Sequence, residues 1–295
     1  MKILVIGATG FIGSAIYEYL VNKSYGVVAG VRGAERFLGD AIEIDFSSVD
    51  RDKQLVQKLR GFDVIINAVG IIAPNGGQTF EQMHTIAPVA IFSAAKEAGA
   101  KKIIQISALG SQKGSTSYHT SKDKADVYLR NLGVDYAILH PSVVYGDDGK
   151  STALFQALAS LPIVPIIGDG SQKLQPITIE DLVKTVEKSI LSDEKNIELN
   201  VVGKEPVSYK ELLCNFRKWL GYTSTKTLSM PTVGTDFIGK VLGETTVNSD
   251  NIVMLNEGNS ADVKPLAKFL GYTPIGFKEK ISKGCLLYTS PSPRD

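Results

Sequence analysis

The first half of the chain alternates short aliphatic runs with longer amphipathic segments. The runs lack a sustained polar alternation, which is typical of parallel strands buried on both faces. They are Ile3–Ile6, Val27–Val31, Ile42–Ile44, Val64–Ile66, Ile103–Ile106 and Tyr136–Leu139. The amphipathic segments between them predict helices at Phe11–Val21, Thr79–Ala98 and Tyr118–Leu132. This order of elements predicts an α/β fold with a doubly wound parallel sheet.

The pattern changes after Tyr145. Turn-rich stretches now separate helix-like segments at Ser208–Leu220 and Ala261–Leu270, which indicates a smaller, mostly helical lobe. We expect one domain at residues 1–145, with later returns of the chain to the sheet at about 174–202. Residues 146–284 would then form most of a C-terminal substrate lobe.

The last eleven residues, CLLYTSPSPRD at 285–295, do not resemble the end of a globular domain. They resemble the translation of a widely used sequencing adaptor, so we expect a non-native tail. A disordered native tail is the alternative. The remaining 284 residues are enough for one large core, or for one core and a smaller lobe.

Composition excludes several classes of protein. Hydrophobic residues make up 43% of the chain and charged residues 21%, and the net charge of +1 comes without a basic block. These values argue against a nucleic-acid or membrane-surface partner. Outside the tail the chain has one cysteine, Cys214, so it forms no internal disulfide and fits a reducing compartment. With no signal peptide and no long apolar stretch, we expect a cytoplasmic protein without a membrane segment.

A glycine turn follows the first predicted strand. Gly7 permits the tight turn, Gly10 lets the backbone approach a pyrophosphate, and Gly13 lets the helix pack closely on the strand. Free N–H groups at the helix start would bind the phosphates. The residues expected at this dinucleotide site are Gly7, Thr9, Gly10, Phe11, Ile12 and Gly13. The spacing is GxxGxxG, not the commonest GxGxxG, and a purely structural turn is the alternative.

Arg32 lies 19 residues after Gly13, at the end of the second predicted strand. This position commonly decides between NAD and NADP. A guanidinium binds a 2′-phosphate, whereas a carboxylate would bind the ribose hydroxyl. We therefore expect NADP(H) to be preferred over NAD(H). A solvated arginine is the alternative.

Two further strand ends offer cofactor contacts. Asp45 and Phe46 follow the third strand and are expected near the adenine, although a simple turn explains them almost as well. Ala68, Val69 and Gly70 end the fourth strand with small residues, where a cofactor would pass close to the backbone.

Three tyrosine–lysine pairs have the spacing i,i+4, which places both side chains on one helix face. Tyr19/Lys23 ends the first helix, and Tyr222/Lys226 lies in a Gly/Ser/Thr-rich connection. Tyr118/Lys122 begins the helix after the fifth strand, near the expected nicotinamide end of a cofactor. This third pair is therefore the candidate catalytic pair.

Carbonyl reduction or alcohol oxidation needs a group that gives or takes a proton. The pKa of a free tyrosine is near 10 and must fall by about 3 units for work near neutrality. An ammonium about 4 Å away supplies roughly the required energy at an effective dielectric of 20. We expect Lys122 to have this effect on Tyr118 and to bind the cofactor ribose.

These motifs resemble the short-chain dehydrogenase/reductase (SDR) family. The similarity lies in GATGFIG, INAVG, QISALG, YHTSK, LHPSVVYG and GDGSQKLQPITIEDL. It is greatest to atypical and extended members, including the SDR-like accessory subunit of respiratory complex I and its bacterial relatives. The resemblance implies a Rossmann domain, a bound nicotinamide dinucleotide, and Tyr118 and Lys122 in the roles above. It also implies nicotinamide contacts within Pro141–Tyr145, namely Pro141 and Val143, and a substrate border at Gln175–Asp181.

Some positions depart from the family pattern. Ser107 is a candidate third catalytic hydroxyl, but Ala108 follows it where a second hydroxyl is common. His140 replaces a frequent arginine and is expected to be packed or on the ribose side. His84 and His119 are expected to be surface or helix residues. None of the three histidines has metal-ligand spacing, so we expect no metal.

Two classes of function fit these observations. The first is an NADP(H)-dependent oxidoreductase that acts on an unidentified carbonyl or alcohol; a nucleotide-sugar epimerase or dehydratase is a variant of it. The second is a structural or regulatory subunit of a larger complex that holds the dinucleotide without turnover. It stays open because a fold does not imply a function.

Overall fold

The computed structural model describes residues 1–230 and 249–281. The predicted tail at 285–295 lies outside the described residues. The chain divides into two compact units. The first comprises Met1–Pro141 and Ile179–Val201, and the second comprises Ser142–Thr178 and the described residues from Val202 onward.

A seven-stranded parallel sheet forms the centre of the first unit; the six aliphatic runs correspond to its first six strands, and the seventh lies within the expected return of the chain at about 174–202. Its strands are β1 (Lys2–Ile6), β2 (Gly26–Val31), β3 (Ala41–Glu43), β4 (Val64–Asn67), β5 (Lys102–Ile106), β6 (Asp135–Pro141) and β11 (Ile197–Val201). They lie in the order β11-β6-β5-β4-β1-β2-β3. Ile3, Leu4 and Val5 are successive residues of β1 with no solvent exposure, so both faces of the sheet are covered at this central strand.

Helices cover the faces of this sheet. They are α1 (Phe11–Asn22), α2 (Leu55–Leu59), α3 (Ala87–Glu97), α4 (Ser117–Arg130) and α6 (Ile179–Leu191). Short 3₁₀ turns occur at Ala34–Arg36, Val49–Arg51 and Ser111–Lys113. The helix predicted at Thr79–Ala98 is divided, because a π-helical turn at Glu81–Ile86 precedes α3. Pro88 has no N–H to continue the ladder of the preceding turn, which accounts for the change of register.

The second unit combines helices with pairs of short strands. Its described helices are α5 (Lys150–Ser160), α7 (Tyr209–Trp219), α8 (Ser249–Glu257) and α9 (Lys264–Leu270). Its strands are β7 (Val144–Tyr145), β8 (Val164–Ile167), β9 (Lys173–Leu174), β10 (Ile177–Thr178), β12 (Val207–Ser208) and β13 (Thr227–Met230). Residues from these elements, among them Tyr145, Ile166, Leu213 and Phe216, pack into a separate core.

The order of the strands fixes where a ligand can bind. The chain runs outward from β1 through β2 to β3 on one side, and from β4 through β5 to β6 on the other. The loops after β1 and β4 therefore diverge at the carboxyl edge of the sheet. Ligands of open α/β sheets bind at such a switch point.

Candidate functional site

The glycine turn after β1 is closely packed on one side and open on the other. Gly7 has a φ of +86°, and a Cβ at Gly13 would lie 2.0 Å from the Gly7 carbonyl oxygen. A Cβ at Gly10 would meet that same oxygen only at 3.4 Å. Gly7 and Gly13 thus exclude side chains for steric reasons, whereas Gly10 leaves its backbone accessible from outside.

The start of α1 is available to an anion. Its first helical hydrogen bond runs from the Ser14 N–H to the Gly10 carbonyl at 2.7 Å. The N–H groups of Phe11, Ile12 and Gly13 therefore precede the helical ladder. No side chain caps this end, and no acidic residue lies in the first turn. Thr9 is exposed beside it, so a pyrophosphate fits this turn.

The ends of β2 and β3 bring opposite charges together. Arg32 is exposed, and the described residues show no hydrogen bond or ion pair to its guanidinium. The Glu43 carboxylate accepts hydrogen bonds from the N–H groups of Gly33 at 2.8 Å and Ala34 at 2.9 Å. Glu43 belongs to no sequence motif, because its proximity to Gly33 depends on the pairing of β2 with β3.

Asp45 and Phe46 follow β3 in different environments. Burial acts to raise the pKa of Asp45, but hydrogen bonds from Ser47 and the charge of Arg32 hold that pKa below its ordinary value. The Phe46 side chain is buried in the core of the unit. Its carbonyl oxygen accepts a hydrogen bond from Gln82 Nε2 at 2.9 Å.

The loop after β4 is held by buried amides. Asn67 Nδ2 donates to Gln105 Oε1 at 2.7 Å, and the Val69 N–H donates to Asn67 Oδ1 at 3.1 Å. Ala68 and Val69 are half-buried, and Gly70 is exposed. This anchoring fixes the small residues at the carboxyl edge beside the glycine turn.

Lys122 extends from α4 to the carboxyl edge of the sheet. Its side chain is buried, and Nζ donates to the Ile106 carbonyl at 3.1 Å and to the Val69 carbonyl at 3.4 Å. A Cβ at Gly70 would lie 3.1 Å from the same Nζ. The ammonium is thus fixed between the ends of β4 and β5.

Tyr118 lies one helical turn before Lys122 within an aromatic cluster. Its ring centroid is 5.7 Å from Phe80, 5.3 Å from His84 and 5.6 Å from His119. Within the described residues its hydroxyl makes no hydrogen bond. Burial, followed by the charge of Asp126, raises the pKa of Tyr118 to about 12. This direction is opposite to the one expected from Lys122 alone.

His84 is buried rather than on the surface, with 1% exposure. Its Nε2 accepts the Ile71 N–H at 3.0 Å, and its Nδ1 lies 3.0 Å from Ser121 Oγ. Burial and the charge of Lys122 lower the pKa of His84 to about 2. His84 is therefore neutral, and it packs against Tyr118 without adding charge. His119 is also buried. Of the two alternatives expected, surface or helix, both histidines follow the second, because each lies in a helical segment.

Ser107 bonds to the buried carboxylate of Asp126, which was not among the residues expected at the site. Its hydroxyl donates to Asp126 Oδ2, and Ser111 Oγ lies 3.5 Å from the same oxygen. Burial raises the pKa of Asp126, against the opposing effects of Ser107 and Lys122. Asp126 follows Lys122 by four residues, and this i,i+4 spacing was the available signal.

The predicted residues from His140 onward lie partly in the first unit and partly in the second. His140 is buried as expected, with Nδ1 3.3 Å from the Ala108 carbonyl. Pro141 ends β6, and its carbonyl accepts the Leu109 N–H at 2.9 Å. Val143 belongs to the second unit. Within Gln175–Asp181 the chain passes from the second unit back to the first, after Thr178.

The other two tyrosine–lysine pairs have structural partners. The Tyr19 hydroxyl donates to Glu187 Oε2 at 2.6 Å. The Arg217 guanidinium lies 4.3 Å from the centroid of the Tyr222 ring. Neither tyrosine follows a strand at the carboxyl edge of the sheet.

A sequence profile described as NAD(P)H-binding matches residues 7–160, just over half of the chain. The mitochondrial NADH dehydrogenase (ubiquinone) 1 alpha subcomplex subunit 9 of Mus musculus is 28% identical over 192 residues, which cover 62% of this chain and 51% of that protein. Ceramide reductase of Caulobacter vibrioides is 25% identical over 183 residues, which cover 61% and 57% of the two chains. The chain thus spans about half the length of these curated relatives.

Solved structures match along nearly the whole chain. MoeE5 in complex with UDP-glucose and NAD has a TM-score of 0.74 and 20% identity, and the match covers 98% of both chains. At this identity the match supports the fold alone.

In the part of the chain that the structure describes, no helix has both the length and the apolar character needed to cross a membrane. By its profile match the chain belongs to the NAD(P)H-binding family, and its fold is of the Rossmann type.

Proposed function

We propose that this protein is an NADP(H)-dependent oxidoreductase in which Lys122 binds the cofactor ribose and Tyr118 exchanges a proton with the substrate oxygen. One observation carries the proposal. The buried Lys122 ammonium lies at the ends of β4 and β5, against Gly70 and the carbonyls of Val69 and Ile106. A bound dinucleotide supplies the hydride.

Of the two directions of hydride transfer, the environment of Tyr118 favours carbonyl reduction over alcohol oxidation. With a pKa of about 12, the phenol is protonated at neutral pH and can donate to a carbonyl oxygen. The hydrogen of Ser107 is already donated to Asp126. Ser107 Oγ therefore offers lone pairs, and it can accept the hydrogen of the alcohol that reduction forms.

The preference for NADP(H) is part of the same proposal. Arg32 is exposed at the end of β2, where a guanidinium can bind a 2′-phosphate. The Glu43 carboxylate on the neighbouring strand opposes that charge. We therefore propose a moderate preference for NADP(H), set by the balance of the two side chains.

The test of turnover is Tyr118→Phe. The ring keeps its aromatic contacts, and no described residue loses a hydrogen-bond partner, so NADPH affinity should stay within about twofold. Hydride transfer to a carbonyl substrate, found by screening NADPH oxidation, should fall by about 10²–10⁴-fold. Tyr222→Phe is the matched control and should retain full turnover. Undiminished hydride transfer in Tyr118→Phe would refute the catalytic assignment.

A dinucleotide-bound subunit without turnover is the second candidate. The raised pKa of Tyr118 favours it, because a phenol with a pKa of about 12 is a weak acid. The similarity to a mitochondrial NADH dehydrogenase subunit is consistent with assembly into a larger complex. Tight NADPH binding without oxidation of NADPH by any carbonyl would favour this candidate over the oxidoreductase.

A further inference from the structure

Asp126 is a buried carboxylate for which the proposed function has no role so far. It has no solvent exposure and lies on α4, four residues after Lys122. Its Oδ2 accepts the Ser107 hydroxyl, and its Oδ1 has no hydrogen-bond partner among the described residues. A carboxylate in such a place needs a nearby positive charge to remain ionised.

The groups around Asp126 leave Lys122 as its buried counter-charge. His140 Nδ1 is 4.0 Å from Oδ2, but burial lowers the pKa of His140 and keeps the ring neutral. Arg130 is half-buried and is already paired with Glu198 and Asp123. Lys122 Nζ bonds to the Ile106 carbonyl and Asp126 bonds to Ser107, the next residue, so both charged groups lie at the end of β5. Among the described groups that act on Asp126, Lys122 also has the largest favourable charge effect.

Asp126 is likewise the charge that stabilises the buried ammonium of Lys122. Its Nζ bonds to two neutral carbonyls, and the neighbouring His84 is neutral because Nε2 accepts a backbone N–H. Asp126 is the one charged side chain in the described part of the chain that acts to raise the pKa of Lys122, whereas burial lowers it. Without Asp126, a buried amine loses its proton more readily.

We propose that Asp126 is a positioning residue that keeps Lys122 in its ammonium form and thereby sets the pH range in which the dinucleotide binds. The inference rests on the proposed role of Lys122 toward the ribose. Asp126 acts on the cofactor through Lys122 and touches neither cofactor nor substrate.

The test is the pH dependence of NADPH affinity, measured by nicotinamide fluorescence from pH 6 to pH 9. Asp126→Asn keeps an oxygen that can accept from Ser107 but removes the charge. As the pH rises, the NADPH affinity of Asp126→Asn should begin to fall at a pH at least about one unit lower than in the wild type. At pH 6 the affinities of the two proteins should agree within about threefold. Glu97→Gln removes a charge from an exposed position of α3 and should follow the wild type.

Two results would overturn the inference: an unchanged pH dependence in Asp126→Asn, or an affinity reduced by one factor at every pH, as a packing defect produces. If Asp126→Asn does not fold, Ser107→Ala provides the test. Ser107→Ala removes the hydrogen bond that lowers the pKa of Asp126. The loss of NADPH affinity at high pH should therefore shift to lower pH in this variant too, by a smaller amount than in Asp126→Asn. No shift in Ser107→Ala would likewise overturn the inference.

Lys122→Met separates this inference from the proposed function. If Lys122→Met binds NADPH as the wild type does, Lys122 is not a dinucleotide residue and both proposals fail. If Lys122→Met weakens binding while Asp126→Asn keeps the wild-type pH dependence, only the role of Asp126 fails.

Discussion

At the scale of single residues, two charges at one sheet edge act in opposite directions on a 2′-phosphate. Arg32 follows β2 and is exposed, and Glu43 ends β3 with its carboxylate on the N–H groups of Gly33 and Ala34. The guanidinium attracts a phosphate, and the carboxylate repels it. We therefore propose that cofactor preference depends on both side chains.

Arg32→Ala should weaken NADPH binding by about tenfold with little effect on NADH, because one charge-assisted hydrogen bond to the phosphate is lost. Glu43→Gln keeps an oxygen for the two N–H groups and should strengthen NADPH binding several-fold. Calorimetric titration of both cofactors measures each change. Glu35→Gln is the control, since Glu35 is exposed and pairs with Arg36. An unchanged ratio of the two affinities in Arg32→Ala would contradict the assignment.

The candidate pair could be predicted from sequence, and its environment could not. Tyr118 and Lys122 share the i,i+4 spacing with two other pairs, and the strand order singled them out. Asp126 has the same spacing from Lys122, but its burial is evident only once α4 lies against β5 and β6. Glu43 required the register that places it opposite Val31. Contacts between residues that are far apart in the sequence cannot be inferred from the local pattern of hydrophobic and polar residues.

At the scale of elements, the β1–turn–α1 segment places a bare backbone at the switch point of the sheet. Its three glycines have different functions. A side chain at Gly7 or Gly13 would clash with neighbouring atoms, whereas the absence of one at Gly10 leaves open space outside the turn. The strands were predictable because their aliphatic runs are buried on both faces. The division of the predicted helix at Pro88 and the two-residue strands of the second unit carry no periodic signal.

Gly10→Ala and Gly13→Ala should therefore have different effects. In Gly13→Ala the new Cβ would lie 2.0 Å from the Gly7 carbonyl oxygen, so the free energy of unfolding should fall by about 1–3 kcal/mol. Gly10→Ala has space for its Cβ and should fold with nearly wild-type stability. It should nevertheless lose NADPH affinity, because the methyl group would stand where the pyrophosphate approaches. Thermal unfolding and NADPH titration of both variants test this, and the same loss of stability in both would contradict it.

At the scale of the whole molecule, the family and the fold are shown, and the chemistry is proposed. The profile match over residues 7–160 covers the elements that carry the glycine turn, Arg32, Ser107, Tyr118 and Lys122. The chain is similar to a protein named as a reductase and to one named as a subunit of NADH dehydrogenase. The fold alone does not distinguish an enzyme from a subunit without turnover. The distinction must therefore come from measurements on the residues of this chain.

The central claim is that a dinucleotide binds at the carboxyl edge of the sheet with Lys122 as its ligand. The most direct measurement is the NADPH affinity of Lys122→Met at pH 7, compared with Lys226→Met. Lys226 is exposed and has the same spacing from a tyrosine. Lys122→Met should bind NADPH about 10- to 100-fold more weakly than the wild type, through loss of a charged hydrogen bond, and Lys226→Met should match the wild type. Equal affinities in all three proteins would contradict the account.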